Sequence, residues 1–491
     1  MATPAISGFL PERNSIEIDE KHVAVAESAR SDDSRPDWTE EEEKKLVRKI
    51  DSIVMPLLML AFFALQLDRG NIGNALTDFF FRDTGVKQDQ FNVGQQLLSL
   101  GIVLLEVPSN YILYRIGPTK WISGQIIAWG LVATFQAFQH GVPAFMVTRL
   151  LLGLTESGFI PAGLYTITRW YKNEETSKRF AWYFIGNGLA QACSGLIAYG
   201  VLHMRGVAGK AGWQWLFILE GLFTLLVGVV FALLFPASPR NPVNLFGKRY
   251  FTERETYILV QRVVRDDHTK EKGRKNVTRA ELKATFTNWK LIPHVIITLG
   301  SLAPASTMMS YAPTLIKSYG YGRLRSNAMV SIGAWISLIM TVTWGFLADK
   351  SGRRGPWVFG GILIWWTFAV CCRALIHNPN AGTRFAILTL AVSFNSMWHA
   401  TNGSWMALNA RSAGERSITL AIFIMSANTS GIIGSQLFQA KDGPLYPVGW
   451  TAIVALVSVG LVAAAVANVQ YRVLNRKLRR KGGEEQPLWQ T

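Results

Sequence analysis

The chain has 491 residues, 49% hydrophobic and 17% charged, a balance more apolar than average soluble usage that excludes a disordered or fibrous protein. Lys and Arg number 50 against 33 Asp and Glu, a net charge of +17. The cations gather at the ends of apolar runs, in one central segment and in the tail, which fits flanks facing anionic lipid and excludes nucleic acid as the partner. The three cysteines, Cys193, Cys371 and Cys372, lie in apolar runs with neither a disulfide framework nor metal-ligand spacing, so packing is their role and no cofactor is expected.

In chain order, the first ~45 residues are polar and hold no short apolar stretch of the signal-peptide kind. Twelve apolar stretches follow, each long enough to cross ~30 Å of hydrocarbon as a helix. Spans 1 to 6 are predicted at Ser52–Ile72, Val93–Tyr114, Trp121–Phe138, Pro143–Tyr165, Ala181–His203 and Trp213–Leu234. A polar, basic interruption from Pro236 to Lys290 comes next, where Thr252 and Glu255 form a capping box that predicts a surface helix. Spans 7 to 12 are predicted at Leu291–Tyr311, Ala328–Ala348, Trp357–Leu375, Phe385–Met406, Leu420–Phe438 and Trp450–Val473.

The fold class is therefore an all-α membrane protein with twelve transmembrane helices in two six-helix halves. Residues 1–49 form an N-terminal tail, 50–235 the first half, 236–290 the central loop, 291–475 the second half and 476–491 a second tail. The short loops are nearly balanced in Lys and Arg, so the flanks decide orientation. Lys44, Lys45, Arg48 and Lys49 precede span 1, and Arg472, Arg476, Lys477, Arg479, Arg480 and Lys481 end span 12, which places both termini and the central loop in the cytosol. The sequons at Asn276, Asn402 and Asn428 fall in that loop or inside spans, where none should be glycosylated.

An ionisable residue inside a span costs roughly 2.5–3.5 kcal/mol on insertion scales and needs a reason to be there. The clear cases are Asp68 and Arg69 in span 1, Glu106 in span 2, Arg149 and Glu156 in span 4, and Glu220 in span 6. Arg149 and Glu156 are two helical turns apart, on one face and ~10.5 Å apart along the axis, so both can line one cavity. The Arg149 guanidinium suits a carboxylate fork, and Asp68 and Glu156 are groups able to exchange protons. An anion site coupled to protons needs those parts; the same four residues are also the parts of structural ion pairs.

Span 10 carries Asn395, Trp398, Asn402, Trp405 and Asn409 at steps of three and four, one stripe that must face the bundle or a cavity because hydrocarbon leaves amides unsatisfied. Two readings stand, a substrate wall or hydrogen bonding between helices. Asn187 and Gln191 in span 5 and Asn428 in span 11 are amides of the same kind. The nucleotide-phosphate loop, the zinc-protease helix and the nucleophile elbow are all missing from the sequence. His399 is the one centre a membrane-embedded enzyme would have.

The segment Gly345-Phe-Leu-Ala-Asp349-Lys350-Ser-Gly352-Arg353-Arg354-Gly355 resembles the signature loop of the major facilitator superfamily, and Tyr114-Arg115-Ile-Gly117-Pro118-Thr-Lys120 resembles its partner loop without the acidic residue. Within that superfamily, Leu67-Asp68-Arg69-Gly70-Asn71, Arg149 to Pro161, Trp170-Tyr171, Gly212-Trp213 and Tyr311-Ala-Pro313-Thr314 are similar to the anion:cation symporters, above all the fungal allantoate and vitamin permease branch. The resemblance implies Asp68 and Glu156 as proton-coupling carboxylates and Arg69 and Arg149 at the anion site. It implies Trp398, Asn402 and Asn428 as cavity lining, and Asp349, Arg353 and Arg354 as the gating loop.

The expected activity is uptake of a small organic anion with protons through the lipid bilayer by a monomer of the plasma membrane, through rocking of the two halves about a central site. Protonating Asp68 and Glu156 would weaken their pairing with Arg69 and Arg149 and free the arginines for the substrate. An exporter of the same fold, a nutrient sensor that signals without transport, and an enzyme centred on His399 are the alternatives.

Overall fold

The computed structural model describes residues 37–266, 279–411, 413–480 and 489–490. The Asn276 sequon and the tails at 1–36 and 481–488 lie outside them. Among the described residues the regular structure is helical, apart from one isolated antiparallel bridge between Val243 and Arg249. Nine helices there are long and apolar enough to cross a membrane by themselves.

Helices occupy all twelve predicted stretches. In the first half they are Glu40–Ala75 (span 1), Gln88–Ile116 (span 2), Pro118–Phe135 (span 3), Gly141–Glu156 continued by Phe159–Trp170 (span 4), Asn173–Val201 (span 5) and Gly212–Leu234 (span 6). In the second they are Ile292–Ser318 (span 7), Arg323–Ser351 (span 8), Gly355–Ala374 (span 9), Ala381–Phe394 continued by His399–Leu408 (span 10), Ala413–Gly434 (span 11) and Pro447–Arg480 (span 12). Several outrun their apolar stretch, because polar ends that carry their own caps extend a helix beyond the hydrocarbon. Before span 1, the Thr39 N–H donates to Glu42 Oε2 at 2.8 Å and the Glu42 N–H to Thr39 Oγ1 at 3.2 Å, a reciprocal cap of the sequence type that predicted the later surface helix.

From Arg48 onward the chain forms one compact unit. Within it the two halves repeat one plan. Span 3 packs on span 6 and span 2 on span 4; span 9 packs on span 12 and span 8 on span 10. The halves meet through span 5 against span 8 and span 2 against span 11, pairings that exchange if spans 1–6 are mapped onto spans 7–12. Corresponding spans 4 and 10 are also the two that break, whereas the sequence reading had each continuous.

The central loop holds the predicted helix, Glu253–Asp266, with its capping box at 2.8 and 3.2 Å. Ile258, Leu259 and Val263 are buried, Glu255 pairs with Lys49 at 2.7 Å, and Arg262 is buried in an ion pair with Glu175 of span 5. These contacts fasten it to the side from which span 1 starts and span 12 ends, called the tail face below.

Candidate functional site

Asp68 and Arg69 are consecutive on a helix, so their side chains leave the axis ~100° apart and serve different neighbours. Asp68 is fully buried toward span 6, where the Thr224 hydroxyl donates to its Oδ2 at 2.8 Å. Arg69 turns to span 4, and its Nε donates to Glu156 Oε2 at 2.6 Å. The Glu156 side chain has no exposed surface and that of Arg69 only 15%, so this charge-assisted bond lies where water screens it least.

Glu156 is the last residue of span 4's first half-helix. Gly158 follows with φ of 79°, and a Cβ there would sit 2.3 Å from Ser109 Oγ, which only glycine avoids. The break leaves polar groups inside the bundle, and they find partners: Gln125 donates to the Ser157 carbonyl and the Ser157 hydroxyl to the Ile102 carbonyl, both at 2.6 Å. Irregular backbone at this depth needs such cover.

Arg149 hydrogen-bonds to neither carboxylate, although Glu156 lies within its electrostatic reach. Its Nε and Nη2 donate to Gln95 Oε1 at 3.1 and 2.7 Å, and its Nη1 to Gln136 Oε1 at 3.0 Å. The expected pairing therefore forms at Arg69 with Glu156 and not at Arg149 with Asp68, because neutral amides from spans 2 and 3 reach this guanidinium and Thr224 holds Asp68. Arg149 is 1% exposed, and both of its hydrogen-bond partners are uncharged.

Each arginine is one residue removed from the second half. Gln95 passes its own N–H to Ser310 Oγ of span 7 at 3.1 Å. Glu106, buried and within electrostatic reach of Arg69, receives Asn428 Nδ2 of span 11 at 3.5 Å, the outer limit of a hydrogen bond. Glu220 is buried beside Asp68 and Asn71. Asn187 and Gln191 bond to each other at 2.8 Å on span 5, half-buried and exposed respectively.

The span 10 stripe is divided by its break. The Asn395 carbonyl accepts Trp398 Nε1 at 3.1 Å and the His399 N–H turns to the Ser396 carbonyl at 2.9 Å, local bonds that compete with the helix. Trp398 and Asn402 are fully buried. Asn402 Oδ1 lies 2.7 Å from His294 Nδ1 and its Nδ2 donates to Thr298 Oγ1 at 3.2 Å, while His294 Nε2 meets the Tyr471 hydroxyl at 3.2 Å. Of the two readings of this stripe, the geometry favours hydrogen bonding between helices, here spans 7, 10 and 12. His399 stacks on Phe423 at 4.5 Å between ring centroids. In the signature loop, Arg354 donates to Asp349 at 2.6 Å and to Ser404 Oγ at 3.1 Å, and Arg353 is exposed.

On the side opposite the tail face the halves are fastened together. Asp78, just past span 1, has no exposed side-chain surface; it pairs with Arg323 of span 8, with Arg205 at 2.9 Å and with the Trp213 N–H at 2.9 Å. Thr77 Oγ1 accepts Asn327 at 2.8 Å, and Asn92 donates to the Phe438 carbonyl at 2.8 Å while accepting the Tyr311 hydroxyl at 2.5 Å. A Cβ at Gly195 of span 5 would lie 2.2 Å from the Asn327 carbonyl, so only glycine lets spans 5 and 8 approach this closely. Nearby, partial burial pushes the Asp83 carboxyl up, but hydrogen bonds from Arg205 and Trp213 and the Arg205 charge outweigh it and hold the group below its ordinary range.

Gln95, Gln136, Thr224, His294 and Asp78 escaped the sequence reading, which weighed charges inside spans and left most neutral amides and span ends aside. The adjacent amides Gln95 and Gln96 near the start of span 2 are the available signal.

Twelve helical passes in two repeated halves, fastened on one side around a buried charged centre, define a membrane carrier. The Major Facilitator Superfamily profile matches residues 58–435. The chain is 31% identical over 453 residues to an uncharacterized transporter of Saccharomyces cerevisiae, covering 90% of this chain and 83% of that one. It is 28% identical over 326 residues to a candidate tartrate transporter of Agrobacterium vitis, covering 66% and 70%. In structure it matches a bacterial homolog of the human lysosomal transporter Spinster in an inward-facing, unoccupied conformation, with a TM-score of 0.65, 16% identity and coverage of 85% and 96%. The chain belongs to the major facilitator superfamily, membrane transporters and not enzymes.

Proposed function

We propose that this carrier takes up a small organic anion together with protons by alternating access, in the plasma membrane with its tail face in the cytosol and as a monomer. The observation that carries the reading is Arg149, a permanently charged guanidinium sealed in the first half, whose hydrogen bonds all go to neutral amides while Glu156 reaches it only through space. A substrate carboxylate offers that fork the compensating charge that Gln95 and Gln136 do not. Arg69 supplies a second cation, released when Glu156 takes a proton and its 2.6 Å pair breaks. Asp68, buried one residue away, is a second proton carrier that acts through Thr224 and span 6.

Substrate binding in this arrangement displaces the Gln95 carbonyl from Arg149, and Gln95 is the side chain that also holds Ser310 of the second half. Loading the site thus loosens a contact between halves, the link alternating access requires. Asn428 reaches the site from the second half through Glu106, whereas Trp398 and Asn402 support it from behind. The name of the Agrobacterium relative points to the same chemical class.

The test is uptake of labelled nicotinate, pantothenate, allantoate, biotin and tartrate at acidic and neutral external pH in cells expressing the chain. Accumulation stronger at acidic pH, lost in Arg149→Ala and made insensitive to pH in Glu156→Gln, is the expected result. No accumulation of any of them at normal surface expression, with faster loss of preloaded anion, would assign export instead.

A further inference from the structure

Residues 489–490 lie in a groove on the tail face of the second half, and the groove is fitted to them. Asn475 of span 12 pairs with both backbone groups of Trp489: its Nδ2 donates to the carbonyl and its Oδ1 accepts the N–H, each at 2.8 Å. Asn409, 8% exposed at the end of span 10, does the same for Gln490, accepting the N–H at 2.8 Å and donating to the carbonyl at 3.2 Å. The Trp405 indole N–H adds a second donor to that carbonyl at 2.8 Å. All four backbone polar groups of the dipeptide are thereby satisfied by side chains from two different spans, a pattern that reads an extended backbone as a sheet edge would.

The side chain is recognised as well. Lys290 Nζ, at the start of span 7, and the Arg411 guanidinium, after span 10, each lie 4.6 Å from the Trp489 ring, and two cations on one indole favour that ring over an aliphatic side chain. Behind it, Tyr471 stands 6.2 Å from Trp489 and 5.3 Å from Trp405, and Trp405 packs edge-on against His294 at 4.7 Å. The groove therefore touches the residues that hold Asn402.

The half-helix between the break at 395–398 and the groove is His399–Leu408. It starts at the break, and Trp405 and Asn409 put its other end under the dipeptide. We infer that the tail face of the second half is a binding site for an extended aromatic segment, occupied here by the chain's own Trp489–Gln490, and that its occupancy restrains the half of span 10 beyond the break. A released segment frees that half-helix to swing at the break, and so adjusts how readily the tail face opens. The inference does not rest on the anion reading.

Hydrogen exchange of the full chain in lipid nanodiscs tests it. In Trp489→Ala, amides of 399–408 should exchange roughly tenfold faster, the scale of two cation–π contacts, while those of 381–394 keep native rates. Asn475→Ala should act in the same direction, and Trp489→Phe, which keeps a ring under the cations, should stay within about twofold of the native chain. Unchanged exchange at 399–408 in both alanine variants would overturn the site. Equal acceleration across spans 7 to 12 would overturn the claim of local restraint, leaving a general packing role.

Discussion

Spans 4 and 10 occupy corresponding places in the two halves and both break midway along their length, yet the residues beside the two breaks reach the neighbouring span by different chemistry. In span 4 the break presents Glu156 to Arg69 of span 1 in a buried ion pair. In span 10 the half-helix beyond the break presents Asn402 to His294 of span 7, the counterpart of span 1, through neutral hydrogen bonds. A buried ion pair loses its Coulombic attraction when the carboxylate takes a proton, whereas the hydrogen bonds of Asn402 to Thr298 and His294 carry no such opposed charges. On the proposed mechanism, one architecture would thus yield a half that responds to charge and a half that serves as its frame.

That comparison breaks most decisively at Arg149. Arg149→Ala should lower uptake at least about a hundredfold, the loss of charge-assisted bonds worth ~1.5–3 kcal/mol each. Asn402→Ala should leave uptake near native and cost stability instead, roughly 1–3 kcal/mol for the groups left unsatisfied on His294 and Thr298. Labelled-anion uptake beside thermal unfolding of the same preparations separates the two, and a reversal of the phenotypes would sink the division of labour.

The stability of the responsive half should also be asymmetric about its ion pair. Arg69→Met leaves a fully enclosed carboxylate and should cost about 3–5 kcal/mol. Glu156→Gln leaves a partly exposed guanidinium with Glu106 near it, and should cost less. Combining them should recover much of the loss, and additive costs in a double-mutant cycle would show that the pair is not coupled.

Much of this arrangement was legible in the sequence because hydrocarbon penalises polarity. The twelve spans, the six-plus-six division and the charged residues of spans 1 and 4 all follow from runs of apolar residues and their rare interruptions. The breaks were not legible, since Gly158 and Asn395 are residues that continuous membrane helices also tolerate. Nor was the choice of partner: Arg149 is equally able to fork onto a carboxylate or onto two glutamines, and only the three-dimensional reach of spans 2 and 3 decides. Asn402 shows the same limit, since a buried amide stripe fits a substrate wall and a helix interface alike.

A smaller effect sharpens the contrast between the halves' shared seam and their separate interiors. Gly195→Ala would place a methyl group against the Asn327 carbonyl at 2.2 Å, overpacking worth ~1–3 kcal/mol. The contact lies between spans 5 and 8 on the side away from the tails, and a seam that opens there during transport would break it. Labelling of a cysteine introduced at Ser310 by an impermeant reagent added to that side should therefore rise. Unaltered labelling would mean that this seam does not open in the transport cycle.

The smallest effect concerns the rim of the charged half, where an ion pair is partly wet. Asp83 accepts Arg205 at 2.7 Å and Trp213 Nε1 at 3.2 Å, and these partners hold its carboxyl below the unfolded value of about 3.9. A carboxylate lowered on folding stabilises the native state above its unfolded pKa, and that contribution fades as pH falls through the lower, folded value. The unfolding temperature of the native chain minus that of Asp83→Asn should hence stay constant from pH 7 to about 5 and shrink below about 4. The difference itself should be modest, on the order of 0.2–1 kcal/mol, as for other partly exposed pairs. A difference that begins to shrink above pH 5 would mean that folding does not lower the Asp83 carboxyl, and that Arg205 and Trp213 do not outweigh its partial burial.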